Sequence, residues 1–207
     1  MRNPRWSATK LRDYKLILVA VGLIGILLIA SPTIASSIHL PQGEPFSELY
    51  LLGPQRMAEG YPFNIVQDQD YSLYVGVGNH LGSVAYYVVY VKLLNASDPL
   101  PSDTLGTASP IQPLYEYRFA VQNEQTFEKH ITFSVSKAFV SKEQSRIGNF
   151  SINGVSFIVN KPTIWNSTES VFKYQLLFEL WLYDTQTELI QYHNRFVDLK
   201  LNYTIAI

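Results

Sequence analysis

The chain has 207 residues, no cysteine and a formal net charge of −1. Without thiols, a disulfide framework, a cysteine-ligated metal and a thiol nucleophile are all excluded, so the fold must be held chiefly by burial. The charge is unevenly split: residues 37–207 hold 11 Lys/Arg and 16 Asp/Glu, a net −5, which argues against nucleic acid and anionic lipid heads as partners of that part.

Residues 1–15 carry five basic side chains, Arg2, Arg5, Lys10, Arg12 and Lys15, against one acid, Asp13. An apolar run follows from Leu16 to Ala30 and continues through Ser31, Pro32 and Thr33 to Ala35, 20 residues in all. A bilayer core takes about 20 residues of helix to cross. The pattern therefore predicts a basic cytoplasmic segment over 1–15, a transmembrane helix over 16–36 and a linker over 37–45. No Lys or Arg recurs until Arg56, and this asymmetry puts the N-terminus in the cytoplasm and the rest outside the cell membrane. A cleaved signal peptide is the rival reading, because Thr33-Ile34-Ala35 offers small residues before Ser36. The length of the run and the long basic segment, with Tyr14 at the membrane edge, favour a retained signal-anchor. Within the run, Gly22 and Gly25 form only a weak helix-packing signal.

Export agrees with four Asn-x-Ser/Thr sequons, at Asn95, Asn149, Asn166 and Asn202. Composition alone gives about 1.5 by chance for this acceptor pattern. The rival explanation is clustering of Asn, Ser and Thr in turns; the excess favours N-linked glycans at some of these sites.

From residue 46 onward the hydrophobic period is two. Ser47–Leu52 reads as a first strand ending at Gly53-Pro54. Tyr71–Gly78 and Val84–Leu94 read as a pair across Asn79-His80-Leu81-Gly82, the second apolar on both faces and hence central. Asn95–Pro113, rich in Pro, Ser, Thr and Asp, reads as an exposed loop. Leu114–Val121 and Thr126–Val135 are further strands, and the stretch beginning at Lys137 is a place for a short helix. Phe150–Ile152 and Val155–Val159 flank Asn153-Gly154, the preferred two-residue hairpin turn. Phe172–Tyr183 puts Phe172, Tyr174, Leu176, Phe178, Leu180 and Leu182 on one face. Its other face mixes Lys173, Gln175 and Glu179 with Leu177, Trp181 and Tyr183, so it is partly covered. Asp184–Thr187 turns into a last strand, where Val197, Leu199, Leu201, Tyr203 and Ile205 alternate with polar residues. Asn202 falls on the wet face. Strands without intervening helices predict an all-β fold over 46–207, an antiparallel immunoglobulin-like β-sandwich in architecture, preceded by the transmembrane helix.

Catalytic chemistry is sparse. The histidines, His39, His80, His130 and His193, are scattered, and only His130 has a carboxylate, Glu128, at a spacing that shares its strand face. Asp68-Gln-Asp70 lacks the remaining ligands and the Gly of a Ca²⁺ loop, so a solvated turn is the better reading. Glu124 with Glu128, and Glu143 in a charged loop, complete the acids of interest. No nucleophile elbow, phosphate cradle or other cofactor motif occurs. No catalytic, cofactor-binding or metal residue is therefore assigned. Among the aromatics, Tyr86, Tyr87 and Tyr90 read as core, while Trp165 stands equally for a loop anchor and for packing.

Several segments together resemble a known family. They are Phe46-Ser-Glu-Leu-Tyr-Leu-Leu-Gly-Pro54, Tyr61-Pro62, Tyr74-Val-Gly-Val-Gly-Asn-His-Leu-Gly82, Ala85-Tyr-Tyr-Val-Val, Leu177-Phe-Glu-Leu-Trp-Leu-Tyr183, and Tyr192 with Val197–Leu201. This order, spanning about 45–207, resembles the archaeal membrane-protein family catalogued as a domain of unknown function, number sixteen-sixteen. The resemblance implies an archaeal envelope protein with an immunoglobulin-like outer domain, and it brings no catalytic residues. Members often carry several membrane spans before this domain, where this chain has one.

The expectation is a non-enzymatic, single-pass envelope protein whose glycosylated outer domain is an accessory subunit or interaction module for membrane or cell-surface proteins. The alternative is a glycan-binding module presenting Trp165 or tyrosines. An enzyme would need convergent groups such as Asp68, Asp70 and His80.

Overall fold

The computed structural model describes residues 8–37 and 44–204, and the chain divides between Glu44 and Pro45 into two units. The first is one helix, α1, Ala8–Ser37, about 45 Å long at 1.5 Å per residue. Leucine, isoleucine and valine fill it, and every large side chain from Ile17 to Ile29 is exposed, all round the helix. Among the described residues no helix is long and apolar enough to cross a membrane. Side chains of α1 are described without a break only over 17–29, short of the roughly 20 residues a crossing takes. The ends of the span read at 16–36 lie partly outside that stretch. Residues 1–7 and 38–43, with His39, lie outside the described residues, as does Ile205 at the other end.

The second unit is all-β. Its strands are β1 (Phe46–Leu52), β2 (Asn64–Ile65), β3 (Asp70–His80), β4 (Ala85–Asn95), β5 (Tyr115–Val121), β6 (Gln125–Val140), β7 (Gln144–Ile152), β8 (Val155–Asn166), β9 (Val171–Asp184) and β10 (Leu189–Tyr203). One half of the sheet runs β1-β3-β6-β7-β8 and the other β5-β4-β9-β10-β2. They are continuous because the end of β8, at Trp165 and Asn166, pairs with the start of β9. All pairings are antiparallel except β2 with β10. The sheet curls so that its inward faces share one core: Leu73, Val75, Phe133 and Phe150 of the first half join Tyr87, Val89, Phe178 and Leu199 of the second. Period-2 alternation produces this packing directly, since each strand commits one face to the core.

The Asn153-Gly154 hairpin forms as expected, with Ile152 opposite Val155 and positive φ at both turn residues, as a type I′ turn requires. The hairpin through 185–188 also forms, and β4 is central, between β5 and β9. Two expectations fail. First, β3 and β4 do not pair: β3 lies between β1 and β6, so the chain crosses between the halves. Asn79 holds that crossing, its Nδ2 donating to the carbonyls of Ser83 and Val121 and its Oδ1 accepting from Leu81 N–H. Second, the stretch from Lys137 is strand, not helix. A positive φ at Lys137, which is skipped in the β6–β7 ladder between Ser136 and Ala138 while the register is kept on either side, breaks the period-2 pattern, and the alternation resumes in the opposite phase beyond it. The 96–113 connection is a loop exposed over most of its length, as expected, but it is fastened at the buried Ser109. It straps the outward face of β4 and β9, which is why Leu94 and Leu177 are buried on that face.

Candidate functional site

The strap rests on a buried ion pair. Lys92 of β4 and Glu179 of β9 face each other on the outward side, through the register Tyr90–Glu179 and Lys92–Leu177. Lys92 Nζ donates to Glu179 Oε2 at 2.6 Å and to the Ser109 carbonyl at 2.7 Å. Glu179 Oε1 accepts the Ser109 N–H at 2.7 Å, and Oε2 also accepts the Trp181 indole N–H at 3.2 Å. Lys92 is 3% exposed and Glu179 0%. Every charge is answered by a partner inside the fold, so this cluster fastens the strap instead of presenting a reactive group. The signal for it was present in the sequence: a lysine set in an otherwise apolar strand, and a lone carboxylate amid Leu and Trp.

A second polar chain closes one end of the curl. Ser47 Oγ lies 2.7 Å from Tyr87 Oη, Tyr87 Oη donates to Asn79 Oδ1 at 3.3 Å, and His193 Nε2 lies 2.9 Å from Ser47 Oγ. Burial, and then the positive Arg195, hold the His193 pKa below its ordinary value. Burial raises that of Tyr87, against the Ser47 hydrogen bond. Ser47 and Asn79 belong to the first and third of the segments that carry the family resemblance, and their task here is to join β1, β3, β4 and β10. In this bulged part of β10, Tyr192 Oη and Asn194 Oδ1 are buried without a partner among the described residues.

The remaining sequence candidates scatter. His80 stacks on Phe46 at 4.6 Å, and its Nδ1 lies 2.7 Å from Glu124 Oε2. Asp70 starts the strand that His80 ends, roughly 33 Å away at 3.3 Å per residue, so Asp68, Asp70 and His80 do not converge. His130 packs on Tyr74 at 4.9 Å. Glu128, on the same face, instead accepts from Tyr50 Oη at 3.1 Å and lies 3.8 Å from Arg56 Nε. Burial first, and then Glu128, push the Tyr50 pKa up to about 12. Glu143 contributes its backbone carbonyl, which accepts Trp165 N–H. Among the described residues no group of three or more His, Cys, Asp or Glu is placed to hold a metal ion. Tyr87 is core, but Tyr86 and Tyr90 point outward by strand alternation: Tyr90 meets Trp181 edge-on and Tyr86 meets Tyr183. Trp165 is 41% exposed and leans edge-on against Phe172.

The four sequon asparagines are all partly accessible. Asn95 Nδ2 donates to the Pro162 carbonyl and Asn202 Nδ2 to Asn64 Oδ1, both at the surface. Asn166 uses only its Oδ1, accepting from Thr168 and Glu169 N–H. Asn149 lies on the outward face of β7, opposite Ser136 and the exposed Ile158.

One surface concavity was not foreseen. The open groove between β1 and β10 has a volume of about 360 Å³ and is lined by Leu49, Leu51, Tyr61, Phe63, Val197 and Leu199, with Tyr50 and Asp198. The Ser47–His193 contact closes one end. At the other end, Tyr61 Oη donates to the Leu51 carbonyl at 2.8 Å.

Among curated proteins none matches this chain. Of the solved structures, a β-glucosidase from Listeria innocua in complex with gluconolactone aligns at 11% identity and a TM-score of 0.36. The alignment covers 79% of this chain, which spans 17% of that enzyme's length. Prolactin inducible protein with zinc α2-glycoprotein, from human seminal plasma, is a second such complex: its matched chain aligns at 8% identity and a TM-score of 0.36 over 81% of this chain and 100% of its own. Likenesses this remote carry no functional argument. The family comparison is different in kind. Residues 40–148, just over half of the chain and containing β1 to most of β7, match the family described as Domain of unknown function (DUF1616). Within that match the segments 46–54 and 74–82 of this chain are one structural unit, since Tyr50 and Glu48 of β1 lie directly across Gly76 and Gly78 of β3. The chain is a member of the DUF1616 family.

Proposed function

We propose that this protein is a single-pass envelope protein: α1 anchors it in the membrane, and the β domain, an immunoglobulin-like sandwich on the outer face, serves as an accessory subunit or interaction module. The observation that carries the interaction reading is the contrast between two internally bonded polar clusters and an apolar surface groove. The Lys92–Glu179 and Ser47–Tyr87–His193 clusters are bonded within the domain, whereas the β1–β10 groove leaves Leu and aromatic side chains open to a partner. The anchor reading is supported by the apolar, exposed stretch 17–29 of α1, a pattern that requires either a surrounding protein or lipid, and by the basic residues on its N-terminal side. Sequons at Asn95, Asn149, Asn166 and Asn202 are partly accessible, and on this reading they carry N-linked glycans. The archaeal setting comes from the sequence resemblance.

Purification of the tagged, full-length protein from its native membrane in mild detergent tests this. The reading predicts a membrane or cell-surface protein recovered in fixed stoichiometry. Recovery of the protein alone would overturn it.

The half-exposed Trp165, beside the Asn166 sequon, favours a second reading, a glycan-binding module. That reading predicts saccharide binding lost on Trp165→Ala with the fold retained.

A further inference from the structure

We propose that the β1–β10 groove is a strand-addition site, taking a short, extended, basic peptide segment of a partner protein. The inference rests on the interaction-module reading and names the site and partner chemistry for it.

The backbone pattern carries the argument. In an antiparallel ladder, both backbone groups of a residue point to the same neighbouring strand, and the direction alternates along the chain. Leu51 offers its carbonyl to Tyr61 Oη, away from β3, so the N–H and carbonyl of Leu49, two residues back, also point away from β3 and into the groove. On the opposite wall, Asn202 N–H donates to the Phe63 carbonyl, away from β9, and by the same alternation the backbone groups of Asp198 and Lys200 face outward. Among the described residues neither wall has a ladder partner there: β1 pairs with β3 alone, and the pairing of β10 with β2 is confined to residues 202–203. Two unpaired strand edges flanking apolar side chains are the elements of recognition by β-augmentation. The groove runs from Ser47 to Leu51, so it accommodates only a few residues of strand at about 3.3 Å each.

Charge selects the occupant. The domain is net −5 over residues 37–207, and Asp198 is the charged residue lining the groove. A second copy of this chain would bring the same negative charge, whereas an extended segment alternating apolar and basic residues is attracted by the field of the domain.

The probe is the peptide acetyl-Lys-Val-Lys-Val-Lys-Val-Lys-amide, with a fluorophore, added to the full-length protein in detergent. Binding is read by anisotropy and by amide hydrogen exchange. The expected result is saturable binding, at least fivefold slower exchange at Leu49, Asp198 and Lys200, and at least tenfold weaker binding when the valines are N-methylated or when Glu replaces Lys. Asp198→Pro removes an edge N–H without touching the β9 ladder and should weaken binding similarly; the N-methylated peptide removes the opposite half of the ladder, the peptide N–H groups that donate to the edge carbonyls, without altering the protein. Absence of binding, protection elsewhere, or indifference to N-methylation overturns the strand-addition site, and equal binding of the Glu peptide overturns the basic partner. If the peptide docks as expected but no partner co-purifies from the membrane, the accessory-subunit reading falls and the site stands.

Discussion

Replacing Lys92 by Met leaves Glu179 charged, 0% exposed and without its cation. Removing one partner of a buried ion pair costs about 3–5 kcal/mol, because the desolvation of the survivor is no longer offset. Glu179 retains the Ser109 N–H at 2.7 Å and the Trp181 indole at 3.2 Å, so the lower end applies, about 3 kcal/mol. For a domain of this size that lowers Tm by roughly 6–12 °C. Replacing both residues, Lys92→Met with Glu179→Leu, removes the buried charge altogether. What remains is the loss of partners for the Ser109 N–H and carbonyl and for the Trp181 indole N–H, about 0.5–1.5 kcal/mol each, the carbonyl being already without its donor in the single variant. The assay is urea unfolding of the full-length protein at fixed detergent, followed by tryptophan fluorescence, with Trp181 in contact with the pair. The double variant should therefore be more stable than Lys92→Met alone. A single variant within about 1 kcal/mol of the parent, or a double variant less stable than the single, would refute the idea that the pair is desolvated and fastens the strap.

Other consequences concern the β1–β3 ladder, the hairpin and the His193 cluster. Gly76→Ala places a Cβ on the Tyr50 ring and should cost about 1–3 kcal/mol by overpacking, read as an earlier urea midpoint; no change would show that Tyr50 moves freely. Gly154→Ala, at φ +79, should cost about 1 kcal/mol, and an unchanged midpoint would contradict the type I′ turn. The His193 pKa is depressed in the fold, so stability is complete above the unfolded histidine value of about 6.5 and is lost as pH falls from there to the folded pKa. His193→Gln should flatten the loss between pH 7.5 and pH 5.5, and an identical pH dependence in the variant would remove His193 as its source.

What was legible in the sequence was local. Asn153-Gly154 announces its own turn, and Phe172–Tyr183 displays both its core face and its mixed outer face through alternation alone. Pairings between distant segments were not legible, because a strand's pattern states that it has a buried face without stating which strand lies beside it. Hence β3 and β4, close in sequence, were read as a hairpin although Asn79 carries the chain across to the other half. At Lys137 a left-handed residue reverses the phase of the alternation and erases the period on which strand reading depends. The strap over 96–113 reads as solvated because Pro, Ser and Asp are turn formers, yet Ser109 meets the ion pair through its backbone, which composition does not reveal. The groove is invisible to sequence for the same reason: it is made of backbone edges brought together by the curl. His193, likewise, gains its role only when β10 meets Ser47 of β1.

The central claim, an anchor in the membrane with the β domain outside, is tested most directly by cysteine accessibility, since the chain has no cysteine of its own. Ser7→Cys, in the basic segment, and Thr185→Cys, in the exposed β9–β10 turn, are each treated in intact cells with a membrane-impermeant maleimide. The account predicts labelling of Thr185→Cys at once, labelling of Ser7→Cys only after permeabilisation, and retention of both proteins in membranes at alkaline pH. Labelling in the reverse order, or release of either protein from the membrane, would contradict it.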